Sequence, residues 1–306
     1  MNGALKIVST AGLVTVQDHG RPGYASMGVG VSGAADRRSH DSANRLVGNL
    51  GSAATLEITF GRLQAVATMP TWIAVTGAPA PVTVGGRDVP TSSRIAVRAG
   101  EAIVVGAARS GLRTYLAVRG GVAVDPVLGS RSTDTLARLG PPVVGAGAVL
   151  PIGPDFGEFP IADFIAEHPA DDEVLRLALT LGPRDDWFAS AALERLVTAT
   201  WTVDPSSDRV GVRLDGPVLE RRIAGELASE GVAVGSVQVP PSGPIVFLDD
   251  HPVTGGYPVI GVVDRISLDQ LAQARPGRRV GFDVRRLEPP LPAPTDHISL
   301  APEGTH

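Results

Sequence analysis

Residues 55–76 read TLEITFGRLQAVATMPTWIAVT, and they hold three short apolar runs, Thr55-Phe60, Gln64-Thr68 and Trp72-Thr76, parted by a glycine and a proline. Runs of this length, rich in β-branched residues and bounded by Gly or Pro, predict strands rather than helices. Working outward, the same pattern recurs at Lys6-Ser9, Leu13-Val16, Arg94-Arg98, Ala102-Val105 and Thr114-Val118. Spacings of about ten residues between such runs favour a barrel or sandwich over alternating β and α units. One helix interrupts them: Asp36 can cap it, Ala43, Leu46 and Val47 form its apolar face, and Gly48 stops it.

Composition agrees. The chain has 306 residues, 43% of them apolar but only 4% aromatic, so Val, Leu, Ile and Ala must build the core. Gly 37 and Pro 26 together form about a fifth of the chain, well above the roughly 12% of average proteins, as a turn-rich β protein requires. A net charge of −5, with no basic run beyond pairs such as Arg37-Arg38 and Arg221-Arg222, argues against a nucleic-acid surface. No run approaches the ~18 apolar residues of a membrane span and no leader pattern opens the chain, so the expected location is cytoplasmic, with no membrane partner. Cysteine is absent, which excludes disulfides and thiol chemistry. Lys6 is the only lysine and sits in an opening strand. A phosphate loop of the GxxxxGK[ST] type and a Ser-Ser-Lys amidase site therefore have no lysine to use.

Residues 156–173 carry prolines and acids, and the chain is expected to divide there. An N-terminal β-barrel subdomain spans 1–155, a linker 156–173, a C-terminal barrel 174–290 and a Pro-rich tail 291–306. In the second half, a strand at Val174-Leu181 and a helix through Ala191-Val197 lead to strands near Thr200-Val203, Ser236-Val239, Ile245-Leu248, Val259-Val263 and Arg279-Val284. A short helix at Leu268-Ala274 has Ser267 as its predicted N-cap, with Gln270 completing a capping box. The halves also echo each other: Glu57 through Gln64 resembles Glu230 through Gln238, which implies two barrels of related topology.

Several stretches are too polar and too rich in glycine to be mere strands. They are TVQDHGRPGY (15–24), SGAADRRSHDSANRLVGN (32–49), SDRVGVRL (207–214), SEGVAVGSVQVPPSGPIV (229–246) and TGGYPVIG (254–261), with LEITFG, TYLAVRGG and LGSRST between them. In this order they resemble the allophanate hydrolase subunit 2 family, over roughly residues 3–288. That family includes the C subunit of bacterial 5-oxoprolinase, the antagonist of a sporulation kinase inhibitor, and part of the carboxyltransferase region of urea carboxylase. The resemblance implies an all-β protein of two cyclophilin-like β-barrels. The implied partner is a smaller subunit 1-like protein, in a heterodimer or a 2+2 heterotetramer, with a third LamB/YcsF-like subunit where the reaction needs one. His251 departs from the side-chain amide expected at that position, and Arg37-Arg38 after Asp36 is also atypical.

Four residues are candidates for catalysis. Asp208 and Arg209 place an acid beside a fork-shaped cation that could grip a carboxylate or carboxyphosphate, or could pin the loop as an ion pair. Glu230 lies near Gln238 on a predicted strand pair. Asp250, a general-base candidate, follows the strand Ile245-Leu248, which should turn one of Asp249 and Asp250 inward and the other outward, unless the pair is a solvated turn. Substrate binding is expected of Gln17, Asp18, Arg21, Ser32, Gln238, His251, Thr254, Gly256 and Tyr257, of which Thr254 to Tyr257 equally suits a hairpin turn. His19 lies beside Asp18, but no serine has the setting of a nucleophile elbow. His40 and His168 lack partners at ligand spacing, so no metal is expected.

Three functions compete. The first is the large subunit of a heteromeric C–N bond hydrolase of the 5-oxoprolinase type, inactive alone, with ATP bound in the complex through irregular loops. The second is a carboxyltransferase subunit of a urea carboxylase/allophanate hydrolase system, served by biotin on a separate carrier. The third is a non-enzymatic antagonist that binds a small kinase-inhibitor-like partner.

Overall fold

The computed structural model describes residues 3–155, 158–166, 173–225 and 227–285. Among these residues the chain is all-β, with three short α-helices and two barrel sheets. The first sheet has nine strands: β1 (Ala4–Gln17), β2 (Thr55–Ala67), β3 (Thr71–Gly77), β4 (Val82–Val84), β5 (Arg87–Val89), β6 (Arg94–Val97), β7 (Ala102–Val105), β8 (Arg113–Val118) and β9 (Val149–Pro151). Their order is β5-β4-β7-β2-β8-β3-β6, and β1 joins β2 to β9. The second is a closed barrel built from β10 (Leu175–Leu181), β11 (Trp201–Val203), β12 (Gly211–Asp215), β14 (Ser236–Gln238), β15 (Ile245–Phe247), β17 (Val259–Val263) and β18 (Arg279–Arg285). A separate ribbon pairs β13 (Glu230–Gly231) with β16 (Thr254–Gly255).

Each barrel has its own core. Val14, Val16, Leu56, Ile58, Val75 and Leu116 fill the first; Leu177, Leu179, Trp201, Val246, Ile260 and Phe282 fill the second. Each such side chain taken from water is worth about 1.5–3 kcal/mol, which offsets the ordering of these short strands. Helix α1 (Arg37–Leu46) starts at Asp36, whose carboxylate accepts the Ser39 amide at 2.9 Å, and Gly48 follows its end at φ +73°. Helix α2 (Ser190–Thr198) packs on the second core, and α3 (Arg265–Leu271) faces α1 across the junction of the barrels.

Four local readings change. Lys6-Ser9 and Leu13-Val16 are one bent strand, and so are Thr55-Phe60 and Gln64-Thr68. Gly12 and Phe60, both at positive φ, make bulges instead of turns. Ser267 is not the cap of α3. Asp264 is, accepting the Ser267 amide at 2.8 Å, while the Ser267 hydroxyl accepts the Ala178 amide of β10. The described linker segment 158–166 packs on the first barrel: the Ile165 amide bonds Ser92, Arg94 bonds Asp163, and Phe159 packs on Trp72. The echoing segments occupy unlike places, since Glu57 is buried in β2 and Glu230 sits in the small ribbon. Finally, Asp249 and Asp250 both point inward, each 1% exposed, because the chain leaves β15 at Phe247 and the loop between β1 and α1 covers the turn. His168, His297, His306 and the Pro-rich tail lie outside the described residues.

Candidate functional site

The loop from Asp18 to Asp36 leaves the end of β1 and crosses onto the second barrel. There the Ser32 amide bonds the Asp249 carbonyl at 2.9 Å. Ser32 itself takes φ +55°, and its hydroxyl donates to Asp250 at 2.7 Å. Arg209 reaches this point from the second barrel. Its guanidinium holds Asp250 through two bonds, 3.0 Å from Nε and 3.1 Å from Nη2, and also bonds Glu57 of β2 and the Gly33 carbonyl at 2.6 Å. Asp250 further accepts the amide and hydroxyl of Thr135, at 2.9 and 2.7 Å. Glu57 further accepts the Tyr115 hydroxyl at 2.8 Å and the Ala35 amide at 3.1 Å, with the Arg113 guanidinium 3.5 Å away. Two carboxylates and two guanidiniums are thus buried with no net charge, joining both barrels through one shared cation.

Burial pushes the Glu57 and Asp250 carboxyls up, but Arg209, helped by Arg113 at Glu57 and Thr135 at Asp250, holds both below the usual carboxylate range. Burial and the charges of Glu57 and Asp36 push the Tyr115 hydroxyl well above its ordinary value, so it stays a neutral donor.

A second ionic group closes the seam between the helices. Asp249 accepts two bonds from Arg265, at 3.0 and 3.1 Å, and lies 3.4 Å from Arg37; burial nonetheless pushes its carboxyl up. Asp269 of α3 accepts the Arg37 amide of α1 and Arg265 Nε, both at 3.0 Å. Burial and the nearby Asp36 charge, opposed by Arg265, set its pKa at about 6. An acid with a higher pKa folded than unfolded binds a proton on folding. Its stabilising contribution is therefore whole below the unfolded value near 3.8 and is lost as pH rises through about 6. Asp269→Asn is expected to stabilise the fold, relative to the parent, by on the order of 2 kcal/mol more at pH 7 than at pH 4.5. Urea unfolding at both pH values checks this; an equal difference at the two would show that Asp269 titrates normally.

All the predicted site residues but Asp208 fall into two groups. Arg209, Asp250 and Ser32 meet in the seam, and Gln17, Asp18, Arg21 and His251 flank it. Asp18 bonds Ser130 and Ser132 hydroxyls and the Arg131 amide, all at 2.6 Å, so it pins the loop at 130–132. Arg21 bonds the Ser132 carbonyl, Gln17 bonds that of Thr133 at 2.9 Å, and His251 Nδ1 pairs with the Pro252 carbonyl. The second group surrounds the β13–β16 ribbon. Glu230 pairs with Arg184, Gln238 donates to the Tyr257 carbonyl at 3.0 Å, and Thr254, Gly256 and Tyr257 form the exposed turn. Asp208 joins neither group: its exposed carboxylate caps its own turn through the Val210 amide. Sequence reading missed Glu57, Arg113, Tyr115, Arg265 and Thr135. Glu57 sits inside LEITFG, where alternation marks a strand but does not reveal what covers its second face.

Arg209, for which the sequence left two roles open, grips a carboxylate of its own chain. Facing solvent at the seam's rim are His19, Arg37, Asp41 and Arg265, each about a third exposed. Next to them, a cleft of about 230 Å³ is lined by Asn49, Leu50, Ser52, Gly121 and Arg131, the residue whose amide holds Asp18.

Comparison with known proteins places this architecture. Residues 27–284 match the family model described as carboxyltransferase domain, subdomain A and B. The chain is 35% identical to the C subunit of 5-oxoprolinase from Escherichia coli, over 95% of this chain and 94% of that protein. It is 31% identical to urea amidolyase of Lachancea kluyveri over 91% of this chain, which spans only 17% of that larger protein. The crystal structure of TTHA0988 superposes with a TM-score of 0.83 at 35% identity, covering 92% of this chain and 56% of that one.

Proposed function

We propose, from the premise that this chain belongs to the carboxyltransferase subdomain A and B family, that it is the large subunit of a heteromeric, ATP-hydrolysing C–N bond hydrolase of the 5-oxoprolinase type. The observation that carries this reading is the match along nearly the full length of both chains with the C subunit of 5-oxoprolinase. The geometry supports a shared active site. Ser32, the hydroxyl on Asp250, is fully buried, and Arg209 is fully engaged, so both act as positioning residues for the rim and not as groups that touch substrate. What the chain offers a partner is the rim: the carboxylate of Asp41, the imidazole of His19, and the guanidiniums of Arg37 and Arg265, which suit the carboxylate that 5-oxoproline carries. A smaller subunit would close over them, so the chain alone is expected to be inactive.

ATP belongs to the assembled complex in this reading. Lys6, the only lysine, is exposed at the opposite end of β1 from Gln17 and cannot reach the seam. The carboxyltransferase alternative, with biotin on a separate carrier, is favoured by the family's description and by the urea amidolyase relative.

The test is reconstitution with the smaller subunit and a LamB/YcsF-like third protein. Glutamate formation and ATP hydrolysis that depend on 5-oxoproline are expected only from the full set. Their absence there would overturn the proposal. Urea-dependent carboxyl transfer from a biotinylated carrier would establish the alternative, and partner capture with no turnover would indicate a regulatory binding protein.

Among the described residues no helix is long and apolar enough to cross a membrane.

A further inference from the structure

At the seam's rim, the loop that carries His19 passes over the first turn of α1, which carries His40 and Asp41. Chain separation hid this grouping from the sequence, where His40 has no partner at ligand spacing. One ring nitrogen from each of His19 and His40 and a carboxylate oxygen of Asp41 all lie within 4.8 Å of one another. Both ring nitrogens face the same oxygen, Oδ1 of Asp41, at 2.7 Å from His19 and 3.0 Å from His40.

We propose that His19, His40 and Asp41 form a binding site for one divalent transition-metal ion of the zinc class. The proposal stands on these three side chains and does not depend on the hydrolase reading.

The His40 ring supplies the first argument. It is fully buried, and its Nε2 lies 3.2 Å from the backbone carbonyl of Gln17 and 3.5 Å from the Asn44 amide nitrogen; in the tautomer that donates from Nε2 to Gln17, Nδ1 is free to ligate. Nδ1 then carries a lone pair, and it is directed at a carboxylate oxygen 3.0 Å away. In that tautomer the two acceptors repel unless a positive centre lies between them, which either a second ring proton or a metal ion supplies. A carbonyl behind a ligating imidazole is also the usual arrangement that orients the ring and sets its tautomer at metal sites.

Geometry supplies the second. Zinc binds imidazole nitrogen and carboxylate oxygen at about 2.0–2.2 Å, which separates ligand atoms in a tetrahedron by about 3.3–3.5 Å. Outward shifts of about 0.3–0.8 Å, by the partly exposed His19 and Asp41, bring the present contacts of 2.7 and 3.0 Å to that spacing. Access supplies the third: His40 is the buried anchor, while His19 and Asp41 are 39% and 37% exposed, so an ion enters from solvent. Two imidazoles and one carboxylate leave a coordination position open, as in catalytic and not structural sites. Nitrogen and oxygen ligands without sulfur favour zinc, cobalt or manganese over copper(I), and the imidazole pair disfavours magnesium and calcium.

The experiment titrates the full, EDTA-stripped chain with zinc by calorimetry and with cobalt(II) by visible absorption. One equivalent of zinc is expected to bind, cobalt is expected to develop d–d bands that zinc displaces, and zinc should raise the thermal midpoint. His19→Ala and Asp41→Asn alter half-exposed side chains, so both should fold as the parent does by circular dichroism and bind zinc at least tenfold more weakly. No stoichiometric binding by the parent, or equal binding by both variants, would overturn the proposal and leave the trio as a hydrogen-bonded ion pair only.

Discussion

Arg209→Met is expected to lower stability by about 3–5 kcal/mol, because it leaves Glu57 and Asp250 buried with the cation they share removed. A buried ion pair adds little net stability over an apolar replacement, but one carboxylate stripped of its partner is costly, and here two are stripped at once. Arg113 lies within reach of Glu57 alone, so Asp250 would keep only the neutral donors Ser32 and Thr135. Urea unfolding of the isolated chain measures the loss. Arg209→Lys should fall between the two, since an ammonium cannot give two parallel bonds to Asp250 and still reach both Glu57 and the Gly33 carbonyl. Adding Glu57→Gln and Asp250→Asn to Arg209→Met should recover part of the loss by removing the stranded charges. If Arg209→Met costs under about 1 kcal/mol, the seam is wet and the charges are screened by solvent.

That network also shows where the sequence stopped being readable. Short strands bounded by Gly and Pro were legible because period and punctuation are local properties, and the Asp36 cap needed only three residues to be recognised. Glu57 was not legible as part of a site. Its neighbours Leu56 and Ile58 point into the first core, so alternation says only that Glu57 lies on the other face. That face is covered by the Ala35 and Arg209 segments, which arrive from elsewhere in the chain. The Asp249–Asp250 pair failed for a related reason. Alternation presumes a continuing strand with one wet face, but the strand ends at Phe247 and a loop of the other barrel seals the turn. Asp264 and Ser267 both suit an N-cap, and only the placement of β10 beside the Ser267 hydroxyl decides between them. The motif-dense stretches come together at this seam and at the small ribbon beside the second barrel. Within it, Arg209, Asp250 and Ser32 converge, while Glu230, Gln238 and Tyr257 gather at a ribbon of their own.

The glycines in the first motif carry the second large effect. Gly20 has φ +82°, and a Cβ there would lie 2.3 Å from the Ser32 carbonyl oxygen and 2.4 Å from that of Val31. Across the same crossing, a Cβ on Gly33 would meet the Asp18 carbonyl and the Gly20 amide at 3.1 Å. The two arms of the loop touch backbone to backbone, and this contact sets where Ser32 meets Asp250 and where His19 meets Asp41. Gly20→Ala should therefore cost about 1–2 kcal/mol for the left-handed backbone and about 1–3 kcal/mol more for prising the arms apart. Gly28 is the control. It has nearly the same φ, +79°, with nothing within 4 Å of its Cβ position, so Gly28→Ala should show the backbone cost alone. The difference between the two variants in urea unfolding isolates the close approach. Equal losses would mean that the loop yields without resistance. The Ser32–Asp250 bond would then be held by Arg209 and Thr135 and not by the crossing of the glycines.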